Sequence, residues 1–150
     1  MSDIVSKEKR SQMMAGIKGK DTKPEIIVRT LLHKKGFRYR LHDKKLPGRP
    51  DLVFSKYSAV IFINGCFWHG HSCSLFKLPK SNQEFWKEKI NGNIARDKRN
   101  YNKLDILKWK ILIIWECSLR GKGKEHIEEV IFRVENWIRS GEENLEIAGI

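Results

Sequence analysis

Ala59-Val60-Ile61-Phe62-Ile63-Asn64-Gly65-Cys66-Phe67-Trp68-His69-Gly70-His71-Ser72-Cys73 runs from an unbroken apolar segment straight into a loop crowded with thiols and imidazoles. The first part, Ala59 to Asn64, has the pattern of a strand covered on both faces, and so of a central strand in a layered α/β domain. The second part brings together the soft and borderline ligands that suit Zn²⁺, and the remaining cysteine, Cys117, lies far along the chain.

Upstream of this stretch, Thr22-Lys23-Pro24-Glu25 has the form of a capping box with Pro just inside the start. Ile27, Val28, Leu31 and Leu32 follow at helical spacing, and Gly36 reads as the stop. Phe37 to Leu41 alternates as a strand with one wet face, and Asp51 to Phe54 is a further strand after the turn-rich Leu46-Pro47-Gly48-Arg49-Pro50. Downstream, Ser81-Asn82-Gln83-Glu84 is a second capping-box candidate. It opens a helix with the stripe Phe85 or Trp86, Ile90, Ile94, Asp97, Tyr101 and Leu104, where Gly92 invites a kink or early stop. Trp109 to Trp115 reads as a buried strand ending at Glu116-Cys117, and residues 124–139 as an amphipathic last helix. The expected order is α, three β, α, β, α, with residues 1–20 a basic arm, 21–140 one domain, and 141–150 a loose acidic tail.

The chain has 150 residues, which suits one domain with a real core. Its formal net charge of +12 would repel itself in a compact fold unless an anionic partner or counterions neutralise it, and nucleic acid is the leading candidate partner. No apolar run approaches a membrane span and the first residues lack the apolar core of a signal peptide, so a cytoplasmic protein without membrane contact is expected. Three cysteines cannot all pair within one chain, which favours a metal site over a disulfide framework.

Cys66, Cys73 and one imidazole sit at the end of one strand candidate and Cys117 at the end of another. Parallel alignment of those strands would close a tetrahedral Cys₃His site of structural type. The residues alone leave His69 and His71 both open as the fourth ligand, and the one that does not bind could act as acid or base. Among the acids, Asp51 opens an apolar strand, and Asp97 lies on an apolar stripe where a carboxylate must be paired. That pairing could be catalytic or a plain salt bridge with Arg96, Lys98 or Arg99. Glu25 already serves as the return half of the first capping box. Phe67 and Trp68, in a polar loop, could form a stacking platform for bases, whereas Trp86 taken alone fits the core.

Leu46-Pro47-Gly48-Arg49-Pro50-Asp51, Gly65-Cys66-Phe67-Trp68-His69, Phe85-Trp86, Arg96-Asp97 and Trp115-Glu116-Cys117 occur together. With them nearly the whole chain resembles the very-short-patch repair (Vsr) endonucleases, DNA mismatch enzymes. The resemblance implies a restriction-endonuclease-like, PD-(D/E)XK-type α/β core, a central mixed sheet flanked by helices, with structural zinc on Cys66, His71, Cys73 and Cys117. It further implies Mg²⁺ held by Asp51 and the backbone carbonyl of Ile63, His69 oriented by Asp97 for proton transfer, and Glu25 holding metal-bound water. Some relatives carry a histidine where this chain has Asn64, which cannot exchange a proton but can hydrogen-bond a metal-bound water.

Phe67, Trp68 and Trp86 would wedge into the stack beside a T·G mismatch, with Met14 and Ile17 of the arm on the minor-groove side and Lys89 and Asn93 reading the mismatch. The implied activity is nicking of double-stranded DNA 5′ of the mismatched thymine by a monomer, alongside a cytosine-5 methyltransferase. Two rivals stand beside it: a restriction or structure-selective nuclease, and a non-catalytic zinc-stabilised DNA-binding module.

Overall fold

The computed structural model describes residues 22–73 and 76–149. A five-stranded mixed sheet organises them, with spatial order β1-β2-β3-β4-β5 equal to chain order. Helix α1 (Lys23–Lys34) comes first, then β1 (Arg40–Leu41), β2 (Leu52–Phe54) and β3 (Ala59–Asn64). Helix α2 (Gln83–Ile106), β4 (Lys110–Trp115), α3 (Lys124–Ser140) and β5 (Leu145–Ile147) complete the fold. β1, β2 and β3 are antiparallel neighbours, whereas β3–β4 and β4–β5 are parallel.

Period-two alternation sends the sheet's side chains to two separate cores. Leu52, Phe54, Ala59, Ile61, Leu112 and Ile114 meet Val28 and Leu32 of α1 and Val130, Ile131, Val134 and Ile138 of α3. On the other face Val53, Val60, Phe62, Ile111, Ile113 and Trp115 meet Leu104 and Tyr101 of α2. β3 is therefore covered on both sides, as its apolar run requires. Lys110, at the start of β4, donates from Nζ to the carbonyls of Trp137, Ile138 and Gly141 at 2.8, 2.9 and 2.7 Å, satisfying acceptors left over at the end of α3. Burial lowers the pKa of this ammonium.

Several expectations need correction. The strand expected over residues 37–41 pairs only at Arg40 and Leu41. The inward alternation of Phe37 and Tyr39 is nevertheless real, since both rings pack on Phe54. Helix α2 takes Asn82 as its N-cap, with φ 56 and no side-chain capping bond, so the box proposed from Ser81 and Glu84 does not form the helix start. Gly92 does not interrupt α2: the helix continues through it to Ile106, and a Cβ at Gly92 would meet nothing within 4 Å. The supposed loose tail contains β5, whose pairing with β4 buries Ile147 in the core. Glu142, Glu143 and Glu146 disguise that strand in the sequence, but Glu146 is itself occupied, accepting a hydrogen bond from Trp115 Nε1 at 2.7 Å.

Candidate active site and metal cluster

The carboxyl end of β3 is where both candidate sites are built. Parallel register sets Asn64 beside Trp115, so the loop after β3 and the turn after β4 leave the sheet together. Cys66, His71 and Cys73 from the first then meet Cys117 from the second. Their ligand atoms all lie within 4.8 Å of one another, with Cys117 Sγ 3.5 Å from His71 Nδ1. Three thiols and one imidazole at that spacing suit a four-coordinate soft-to-borderline cation. Burial pushes the Cys66 thiol well up, with side-chain contacts from Cys73 and Cys117 adding to the rise. His71 is held flat against Trp115, with ring centroids 4.1 Å apart, and the Gly149 N–H lies 3.2 Å from Cys117 Sγ.

His69 sits in the same loop but faces a different partner. Its Nδ1 lies 2.6 Å from Asp97 Oδ2 on α2. With Nδ1 donating to the carboxylate, Nε2 is the nitrogen left to exchange a proton. Asp97 thus joins an imidazole rather than one of its basic helix neighbours. Gly70 permits this crossing of loop over helix: its φ is +64, and a Cβ there would lie 2.5 Å from Ile94 Cδ1 and 2.9 Å from Ile90 Cγ2.

Asp51 reaches the site from the antiparallel side. Gly48 and Arg49 are consecutive left-handed residues, with φ of 77° and 49°, and they turn the chain so that Asp51 heads β2. The Ile63 N–H donates to Asp51 Oδ2 at 2.7 Å. Burial raises the Asp51 carboxyl to about 7, with the Ile63 N–H opposing and the nearby charge of Glu25 reinforcing the rise. Glu25, one turn into α1, is only 1% exposed, and Thr22 caps its N–H at 3.4 Å. Its Oε2 accepts from Arg29 at 2.7 Å and lies 2.8 Å from His42 Nε2. Glu25, His42 and Asp51 form a second group able to hold a metal ion, again with ligand atoms within 4.8 Å.

Asp51, Ile63, Asn64, His69 and Asp97 line one cleft of about 940 Å³. Asn64 is 3% exposed and donates from Nδ2 to the Tyr101 hydroxyl at 3.0 Å. Burial raises the Tyr101 hydroxyl pKa, with Asp97 adding to it, so this phenol stays protonated. Lys23, Arg49, Lys89, Arg96 and Arg120 surround the acidic floor with positive charge, the electrostatic form of a phosphodiester groove.

Phe67 and Trp68 line one wall and Trp86 packs on both of them, with ring centroids 5.1, 5.6 and 5.8 Å apart pairwise. All three are half-buried, so Trp86 belongs to this cluster and not to the core that its helical spacing favours. Asn93 lines the cleft and donates to the Trp68 carbonyl at 2.8 Å, while Lys89 lines it with an exposed side chain. Met14 and Ile17 lie outside the described residues. Sequence reasoning passed over His42, which stands 17 residues from Glu25 in an ordinary polar turn. Tyr101 was visible on the apolar stripe of α2, but its bond to Asn64 was not.

The family model for "DNA mismatch endonuclease Vsr" matches residues 2–75. The chain is 46% identical to the DNA mismatch endonuclease Vsr of Escherichia coli K12, over 92% of this chain and 88% of that protein. It is 45% identical to the type II nicking enzyme V.NmeAIP of Neisseria meningitidis, over 91% of this chain and 99% of that protein. A third relative, the type II nicking enzyme V.XorIIP of Xanthomonas oryzae, is 46% identical over 82% of this chain and 90% of its own length. At this identity over nearly full lengths on both sides, the chain belongs to the Vsr family of DNA mismatch endonucleases.

Proposed function

We propose that this protein nicks one strand of double-stranded DNA on the 5′ side of the thymine in a T·G mismatch, the product of 5-methylcytosine deamination. The observation that carries the reading is the meeting of Asp51 and the His69–Asp97 pair in one basic cleft walled by half-buried aromatic rings. The core is of PD-(D/E)XK type, and Cys66, His71, Cys73 and Cys117 would hold a zinc ion that, when bound, would brace the loop carrying His69. Asp51 and the Ile63 carbonyl offer the oxygen donors that Mg²⁺ requires. When bound, the cation would polarise the phosphoryl group and stabilise the leaving oxygen.

The protein's own groups then have distinct tasks. Asp97 fixes the ring of His69 through Nδ1, which leaves Nε2 to pass a proton to or from the reacting oxygens. Glu25, through its charge beside Asp51, contributes to the acidic floor, and Asn64 is held by Tyr101 as a hydrogen-bonding wall residue. Phe67, Trp68 and Trp86 enter the base stack where a weak pair makes unstacking least costly, and Lys89 and Asn93 contact the mismatch beside them. Met14 and Ile17 of the basic arm act from the minor groove. The protein works as a monomer in the cytoplasm, and its substrate ties it to a cytosine-5 methyltransferase.

The test is a strand-specific nicking assay with Mg²⁺ on duplexes that differ only in T·G or C·G at one site, with Asp51→Ala as control. Mismatch-dependent nicking beside the thymine, lost in the control, is the expected result. Equal cutting of paired and mismatched duplexes would point to a restriction or structure-selective nuclease. Binding without cutting would point to a DNA-binding module.

A further inference from the structure

We propose that His42 is a positioning residue that fixes the Glu25 carboxylate against the strand bearing Asp51, and that nicking depends on this link. The inference rests on the nuclease reading above and adds to it a group outside the cleft. His42 lies in the connection between β1 and β2 with φ 48, a left-handed conformation that few residues other than glycine adopt, His and Asn among the more tolerant. In that conformation its N–H donates to the Asp51 carbonyl at 3.1 Å while its ring Nε2 meets Glu25 Oε2 at 2.8 Å. One residue therefore grips both acids, Asp51 by the main chain and Glu25 by the side chain.

Arg29 also binds Glu25 Oε2, but the two are four residues apart on α1. A contact within one helix moves with that helix and cannot set the carboxylate's place relative to the sheet. Tyr39 donates its hydroxyl to the Arg29 carbonyl at 2.7 Å and so anchors the α1 main chain. The ring of His42 ties the Glu25 carboxylate to the turn whose main chain binds Asp51, alongside the hydrogen bond between the Glu25 and Asp51 carboxyl groups. Outer partners of this kind typically change activity or cation affinity by roughly 10–100-fold when removed.

Two substitutions separate the link from the turn. His42→Asn keeps the tolerance for left-handed backbone and the N–H to Asp51, but its amide is too short to reach Glu25. His42→Gln reaches Glu25 with an amide N–H. The expected result for His42→Asn is a kcat lower by roughly 10–100-fold, KM for T·G duplex and zinc content unchanged, and Mn²⁺ affinity weakened over the same range in calorimetry. His42→Gln is expected to stay within a few-fold of wild type in both readouts. Wild-type rate and wild-type Mn²⁺ affinity in His42→Asn would overturn the proposal, as would equal losses in the Asn and Gln variants. A wild-type protein that binds Mn²⁺ but never nicks would instead sink the nuclease reading, and the Mn²⁺ titrations would still test the link.

Discussion

Replacing Asp51 by Asn in the Mg²⁺-free protein should make the fold more stable. Burial raises the folded-state carboxyl from 3.8 to about 7, so the folded protein keeps a proton that the unfolded chain gives up. Stability is consequently lost as pH climbs from the unfolded value, about 4, through the folded value, about 7. A rise of about three pKa units corresponds to roughly 4 kcal/mol at about pH 8, of which on the order of 2–3 kcal/mol falls between about pH 5 and about pH 8. Asn has no proton to lose, keeps an oxygen to accept from the Ile63 N–H, and brings an amide donor toward Glu25. Urea unfolding of the zinc-loaded, Mg²⁺-free proteins should therefore show Asp51→Asn ahead of wild type by a few kcal/mol at about pH 8, with the gap shrinking to about 1–2 kcal/mol at about pH 5. Adding Mg²⁺ should stabilise wild type more than the Asn variant, because the substitution removes the charged oxygen donor of the proposed Mg²⁺ site. An Asn variant no more stable than wild type at the higher pH, or a gap that ignores pH, would refute the claim that Asp51 is strained by its own burial.

Three further outcomes follow from contacts described above. Asp97→Asn should lower kcat by roughly 10²-fold or more while changing duplex affinity little, since the ring of His69 keeps its place but loses the carboxylate that fixes its tautomer; pre-steady-state nicking and fluorescence anisotropy read the two separately. Lys110→Met should destabilise the fold by about 2–4 kcal/mol in urea melts, because carbonyls at Trp137, Ile138 and Gly141 lose one shared donor. If Cys66, His71, Cys73 and Cys117 hold zinc as proposed, a chelator should abolish nicking and broaden thermal unfolding, the binding free energy of such a site being on the order of 10–16 kcal/mol; melting that is indifferent to chelator would count against the zinc assignment.

Where packing is written in local periodicity, the sequence could be read directly. The unbroken apolar run of β3 announces a strand buried on both faces, and the spacing of Val28, Leu32, Val130, Val134 and Ile138 announces the helices that cover it. The convergence of Cys117 on Cys66 and Cys73 was also legible, because it needs only two parallel strands ending together. What stayed hidden depends on pairings across the chain that have no local signal. His42 looks like a turn residue until α1 is laid beside it, and β5 looks like an acidic tail until Glu146 meets Trp115 and Ile147 meets the core. Asp97 gave half a signal in its own residues: its place on an apolar stripe demanded a partner, the family resemblance named His69, and the loop crossing at Gly70 brings the two together.

The loop from Gly65 to Cys73 interleaves two trades, with Cys66, His71 and Cys73 in the metal cluster and Phe67, Trp68 and His69 on the cleft. Neighbouring residues there answer to different demands, so a change made to retune one will jostle the other, and random variation in the loop will mostly yield proteins broken in several ways at once. Helix α2 offers the freer ground. Lys89, Asn93 and Arg96 border the same cleft from a rigid rod that takes no part in the metal cluster. With Lys89 and Asn93 proposed to contact the mismatch, altered preference is better sought along that helix than in the loop, where each change also meets the Cys/His cluster.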